Sequence, residues 1–186
     1  MPQMTLILGG ARSGKSSYAL QLAQARAHAV TFVATATAGD DEMAARIAYH
    51  RSTRPSHWET REHPRGLGAA LLTSPPQTEL LLLDDLTLLV SNVLLAAVED
   101  ADPADTAVQA RAQAAVDAEI AALLDAWRRL DMPWIVVSNE VGWGLVPVSP
   151  LGRLYRDILG RANQALAAAA DEVLLLVAGI PMQVKG

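Results

Sequence analysis

Gly9-Gly10-Ala11-Arg12-Ser13-Gly14-Lys15-Ser16 satisfies the pattern G-x-x-x-x-G-K-[ST]. It comes after an apolar run at residues 4–8 and leads into a helical stretch at 17–27, so strand, loop and helix come in the order a phosphate-binding loop requires. Glycines let the backbone turn tightly and aim successive N–H groups inward, and the helix N-terminus adds partial positive charge where phosphates sit. Lys15 is expected to reach the β- and γ-phosphates of a nucleoside triphosphate, and the Ser16 hydroxyl to ligate Mg²⁺. Arg12 lies inside the loop, where it either touches a phosphate or forms an exposed ion pair.

Outward from the loop, four more strand-length runs stand at residues 30–35, 79–83, 134–138 and 173–178. Most lack polar alternation, as strands covered on both faces should. Longer segments of helical period separate them. Asp102-Pro103 reads as an N-cap with proline at the first helical position, opening a helix with Val116, Ile120, Leu123, Leu124, Trp127 and Leu130 on one stripe. A second helix at 151–170 carries Leu154, Ile158, Ala162 and Leu166, and the 178–181 stretch Ala-Gly-Ile-Pro breaks the last strand ahead of a short tail. The expected fold is α/β, a P-loop NTPase fold with a mostly parallel central sheet flanked by helices.

The 186 residues suffice for one substantial core, so a single nucleotide-binding domain over 1–186 is expected. Hydrophobic residues at 51% and charged residues at 19% place the chain among compact globular proteins. A net charge of -5 favours neither nucleic acid nor anionic lipid, so phosphate must be held locally. No apolar run reaches the roughly 18 residues of a membrane span, and no basic-then-apolar leader opens the chain, so a cytoplasmic location is expected. The absence of cysteine excludes disulfides, thiolate metal sites and cysteine nucleophiles.

The third run ends on Asp84-Asp85, where a buried strand would deliver a carboxylate to the sheet's carboxyl edge. Asp84 is the first candidate for holding magnesium and Asp85 the second; alternatively, both cap the following helix. After the second run, residues 40–54 read as a short helix, acidic at its start and basic at its end. Met43, Ile47 and His50 share one side, with Arg46, Arg51 and Arg54 around them. The histidine is either a packed or helix-end residue, or a nucleophile toward an α-phosphorus whose arginine neighbours favour the neutral ring and stabilise a departing pyrophosphate. Asn139 and Glu140 end the fourth run, either orienting substrate or capping a turn, while His28, His57 and His63 are given no role.

Together these blocks resemble the bifunctional adenosylcobinamide kinase / adenosylcobinamide-phosphate guanylyltransferase family of cobalamin biosynthesis. The likeness rests on the loop from Gly9 to Ser16, on Asp40-Asp41-Glu42-Met43-Ala44-Ala45-Arg46-Ile47 with His50 and Arg54-Pro55, and on His57-Trp58-Glu59-Thr60. It extends through Val137-Ser138-Asn139-Glu140-Val141-Gly142-Trp143-Gly144 with Val146-Pro147, Gly160-Arg161-Ala162-Asn163-Gln164, Ala168-Ala169-Ala170-Asp171-Glu172 and Ala178-Gly179-Ile180-Pro181. The resemblance implies a RecA-like sheet and two reactions. ATP or GTP phosphorylates the aminopropanol hydroxyl of adenosylcobinamide, and GTP then donates GMP to that phosphate, releasing pyrophosphate. It also implies that His50 is guanylylated and that nucleotide contacts fall on Gly9 to Ser16, Ala34, Thr35, Ala36, Arg51, Ser52, Thr53, Arg54, Glu62 and Asp84. A homotrimer is implied as well. Relatives often carry a carboxylate followed by cysteine where this chain has Asp84-Asp85. A simple small-molecule kinase with a structural His50 is the competing reading.

Overall fold

A computed structural model describes residues 3–36 and 54–186. The expected helix at 40–54, with His50, Arg51, Ser52 and Thr53, therefore lies outside the described residues, apart from Arg54.

The described residues contain a seven-stranded sheet in the order β3-β2-β4-β5-β1-β6-β7. Its strands are β1 (Met4–Gly9), β2 (Val30–Ala34), β3 (Glu59–Glu62), β4 (Leu80–Asp84), β5 (Trp134–Val137), β6 (Glu172–Val177) and β7 (Ile180–Lys185). The pairs from β3 through to β6 are parallel, and β7 alone is antiparallel. The near-continuous apolar runs reflect cover on both faces. On one face α1 (Lys15–Arg26) packs through Ala19 and Ala23 against Ile7, Phe32, Leu80, Leu82, Ile135 and Val137. On the other, α3 (Leu86–Val98), α4 (Thr106–Arg129) and α5 (Pro150–Ala169) enclose Leu6, Val33, Leu81, Leu83, Trp134 and Val136. Adjacent residues of each covered strand point to opposite layers, and both layers are apolar.

The structure corrects the sequence reading at three places. Asp102-Pro103 does not open α4; its N-cap is Asp105, whose carboxylate accepts from the Ala107 N–H at 2.7 Å. Asp102 instead accepts from Ala104 N–H at 2.9 Å in the turn before it, the same local chemistry one turn early. The tail is not loose chain but β7: Ala178 (φ 51°) and Gly179 (φ 82°) form a two-residue turn, with Val177 paired to Ile180. Pro181 is tolerated there because β7 lies at the sheet's edge.

The third correction is β3, a polar segment without the apolar signature of a strand. It pairs with β2 at the opposite edge, where one face meets solvent. Glu59 accepts from the Thr31 hydroxyl at 2.7 Å and from Arg61 Nε at 2.7 Å. Burial pushes the Glu59 carboxyl up, but the Thr31 hydroxyl and Arg61 together hold it below the usual range.

Short α2 (Leu67–Thr73) lies directly on α4. Glu119 of α4 accepts from the N–H groups of Gly66 and Leu67 at 3.0 and 2.8 Å, capping α2. At Gly68 the two backbones approach so closely that a Cβ would stand 2.4 Å from the Ala122 carbonyl. Among the described residues no helix is long and apolar enough to cross a membrane. Gly68→Ala must push α2 off α4, so it should cost about 1–3 kcal/mol, seen as a lower urea midpoint with an unchanged slope.

Candidate active site

Sheet register brings the strand ends to one level. Ala34 pairs with both Glu62 and Asp84, Asp84 with Val137, and Val137 with Ile7, so the carboxyl ends of β3, β2, β4, β5 and β1 form a single edge. Ligands of open α/β sheets bind at such an edge. Here the loop of residues 9–16 leaves β1 and enters α1.

The loop is held from several sides. Ser13 N–H donates to the Gly10 carbonyl at 3.3 Å, Tyr18 N–H to Gly14 at 2.9 Å, and Gly179 N–H, from the β6–β7 turn, to Ser13 at 2.9 Å. Gly14 has φ 92°, a left-handed conformation that a side chain would strain. At Gly9 a Cβ would meet Ser13 Oγ at 2.6 Å and the Leu176 carbonyl at 2.7 Å. Lys15 is only 7% exposed, and its ammonium donates to the Gly10 carbonyl at 2.7 Å, lying folded along the loop. The Ser13 hydroxyl is buried and has no hydrogen-bond partner among the described residues. Such a group incurs a desolvation cost that a ligand oxygen would relieve.

Two adjacent carboxylates at the end of β4 go separate ways, across an Asp84–Asp85 bond that is cis. Asp84 Oδ1 accepts from Ser16 Oγ at 3.1 Å, joining the loop to β4 across the intervening β5. Asp85 Oδ1 accepts from Leu88 N–H at 2.8 Å and is the N-cap of α3. Capping therefore holds for Asp85, and the loop-facing role belongs to Asp84. Tyr155 of α5 lies nearby, its hydroxyl donating to the Thr87 carbonyl at 3.4 Å. Burial, then the Asp85 charge, raise its phenol far above the ordinary value, so it stays a neutral donor.

At the flank, the chain leaves β2 through Ala34, Thr35 and Ala36. Thr35 is fully buried, and its hydroxyl donates to the Asp85 carbonyl at 2.6 Å while accepting from Asp85 N–H at 3.2 Å. The hydroxyl is thus a strut between strand ends. Asn92 of α3 donates to the carbonyls of Thr35 and Pro64 at 2.8 and 3.1 Å, tying the exits of β2 and β3 together. Glu62 stands exposed beside them at the end of β3. The Arg54 guanidinium lies 3.4 Å from the centroid of Phe32, two residues short of the edge. The structure thus brings together Gly9 to Ser16 and Asp84, flanked by Ala34, Thr35, Ala36 and Glu62.

Reading by residue type missed how the chain is anchored as it leaves β5. Asn139 is locked by its backbone, N–H to Thr87 Oγ1 at 2.8 Å and carbonyl from Asn163 Nδ2 at 3.0 Å, while buried Ser138 donates to Asn163 Oδ1 at 2.7 Å. Glu140 N–H donates to Gly9 at 3.0 Å, and its carboxylate accepts from Gly142 N–H at 2.7 Å, so Glu140 does cap a turn. Nothing in the sequence places β5 between β1 and β4. That comes from strand order alone.

Residues 5–184 match the model of a family described as cobinamide kinase / cobinamide phosphate guanyltransferase. The chain is 45% identical over 182 residues to the bifunctional adenosylcobalamin biosynthesis protein CobU of Escherichia coli (strain K12), covering 98% of this chain and 99% of that protein. It is also 45% identical over 181 residues to the bifunctional adenosylcobalamin biosynthesis protein CobP of Pseudomonas aeruginosa, covering 97% and 96%. Among solved structures, an ATPase from the type III secretion system of pathogenic bacteria superposes with a TM-score of 0.57 at 10% identity, over 93% of this chain and 50% of that one. That likeness concerns the fold alone.

The split between the two aspartates is measurable. Asp85→Ala removes a cap and should cost about 1 kcal/mol in chemical denaturation, whereas Asp84→Asn, which keeps an oxygen for Ser16, should stay within about 0.5 kcal/mol of the parent.

Proposed function

The chain belongs to the cobinamide kinase / cobinamide phosphate guanyltransferase family, and we propose that one triphosphate site at the loop serves both reactions, the second through a guanylylated His50. The observation that carries the shared site is the contact of Ser16 Oγ with Asp84 Oδ1, at the mouth of a loop holding an orphaned buried hydroxyl.

In the kinase reaction the loop N–H groups and Lys15 bind the β- and γ-phosphates of ATP or GTP. Lys15 moves from the Gly10 carbonyl to phosphate oxygen, and the Ser13 hydroxyl acquires a partner. One hydroxyl and one carboxylate are the hard oxygen donors suited to Mg²⁺, which keeps most of its other positions for phosphate and water. Their separation of 3.1 Å fits two neighbouring ligands of that ion. Bound there by Ser16 and Asp84, Mg²⁺ would neutralise charge on the phosphates. Phosphoryl transfer then needs chiefly positioning, and the rigid edge built by Thr35, Asn92 and Asn163 provides it.

In the guanylyl reaction the neutral His50 imidazole attacks the α-phosphorus of GTP. A nitrogen–phosphorus bond forms and pyrophosphate leaves. The phosphate oxygen of cobinamide phosphate next attacks the same phosphorus and releases the histidine. Ala34, Thr35, Ala36 and Glu62 lie at the flank of the loop, where GTP contacts are proposed along with Arg51, Ser52, Thr53 and Arg54. A soluble, cytoplasmic homotrimer is proposed on the family resemblance.

GTP labelled on its α-phosphate tests the reading. Acid-labile, alkali-stable label should appear on the protein and vanish in His50→Ala; an unlabelled wild type would leave a plain kinase with a structural histidine. Asp84→Asn should lower the kinase rate by about 100-fold or more and shift its magnesium dependence upward, whereas Asp85→Ala should leave that dependence in place.

A further inference from the structure

Between β5 and α5 the chain carries four apolar side chains in water. Trp143 is 77% exposed, Leu145 98%, Val146 63% and Val148 96%. The other tryptophans, Trp58, Trp127 and Trp134, are at most 7% exposed, so the protein does bury indoles where it can. Four exposed apolar side chains within six consecutive residues mark a contact surface.

This segment is pinned at both ends. Glu140 N–H holds one end to Gly9 at 3.0 Å. Arg153 donates to the carbonyls of Pro147 and Val148 at 3.1 and 2.6 Å, and Ser149 caps α5 by accepting from Gly152 N–H at 3.1 Å. The platform is thus preorganised, and ordering it on binding costs little.

Beside the platform opens a cavity of about 460 Å³, whose walls include Trp143, Glu140, the loop residues Gly10 to Ser13, and Leu176 at the end of β6. It joins the platform directly to the phosphate-binding loop. Its size suits a drug-sized fragment, in the lower half of the range of about 300–1,000 Å³ for ligand pockets. A corrinoid is far larger. Cobinamide has a broad macrocycle with methyl groups along its rim, and its reacting hydroxyl sits at the end of a flexible, amide-containing arm. The arm fits such a cavity; the macrocycle requires a surface outside it.

We propose that the 143–148 platform is the corrinoid-docking surface: the macrocycle lies on Trp143, Leu145 and Val148, and the arm passes through the cavity beside Glu140 to present its hydroxyl at the loop. This rests on the family's kinase activity but not on the histidine intermediate. An exposed indole and branched apolar side chains suit contact with the methyl-bearing rim of the macrocycle. The Glu140 carboxylate is an acceptor for the N–H of the arm. The occupant that competes for the same surface is a second copy of this chain.

Equilibrium dialysis with cobinamide, which is directly visible by absorbance, separates these. Leu145 is almost wholly exposed, so Leu145→Ser removes no internal packing, and Trp143→Ala removes little. Each should weaken cobinamide binding about tenfold and raise its KM in the kinase assay, with the KM for ATP unchanged and the sedimentation mass unaltered. Unchanged cobinamide affinity in both variants overturns the proposal. A drop in mass with affinity retained also overturns it, by making the platform a subunit contact. A wild type that binds no cobinamide removes the kinase premise itself, whereas missing histidine label leaves the docking proposal standing.

Discussion

Ser16 belongs to the loop after β1 and Asp84 to the end of β4, 68 residues away, yet their side chains meet at 3.1 Å. That contact depends on register. A slip of one residue in the β4–β5 pairing would turn Asp84 to the opposite face of the sheet and break its contact with Ser16. The buried apolar runs of both faces hold the register, because each strand has a layer of side chains to lose on either side. Chemistry at the edge is therefore maintained by packing several residues below it.

The same edge shows how a polar site is kept rigid without crowding it. Thr35, Asn92, Ser138 and Asn163 direct their hydrogen bonds to backbone or to one another, not to a ligand. They fix the exits of β2, β3, β4 and β5, and so the directions in which ligand-facing groups project. Buried networks of this kind specify one arrangement when every member is satisfied. The Ser13 hydroxyl within the loop, without a partner among the described residues, stands out against them.

How far the sequence could be read differs by element. Covered strands announce themselves, because burial on both faces demands continuous apolar residues. Edge strands do not: β3 is made of Glu59, Thr60, Arg61 and Glu62, and β7 is exposed along its whole length. Their residues answer to solvent, and their strand character comes from a neighbour's open hydrogen bonds. Asp102 and Asp105 look alike as caps in sequence, because both precede helix-compatible residues and both carboxylates do cap local N–H groups.

By itself the sequence determined the phosphate-binding loop, the buried strands, the family and the candidate Asp84-Asp85 pair. Those features are local, written in spacing, composition and backbone freedom. Only the tertiary structure decided which aspartate faces the loop, that β5 separates β1 from β4, and that an exposed apolar segment adjoins the loop of residues 9–16. Each of these depends on which strands lie side by side, a choice made by the energy of the whole packed sheet and carried by no single segment.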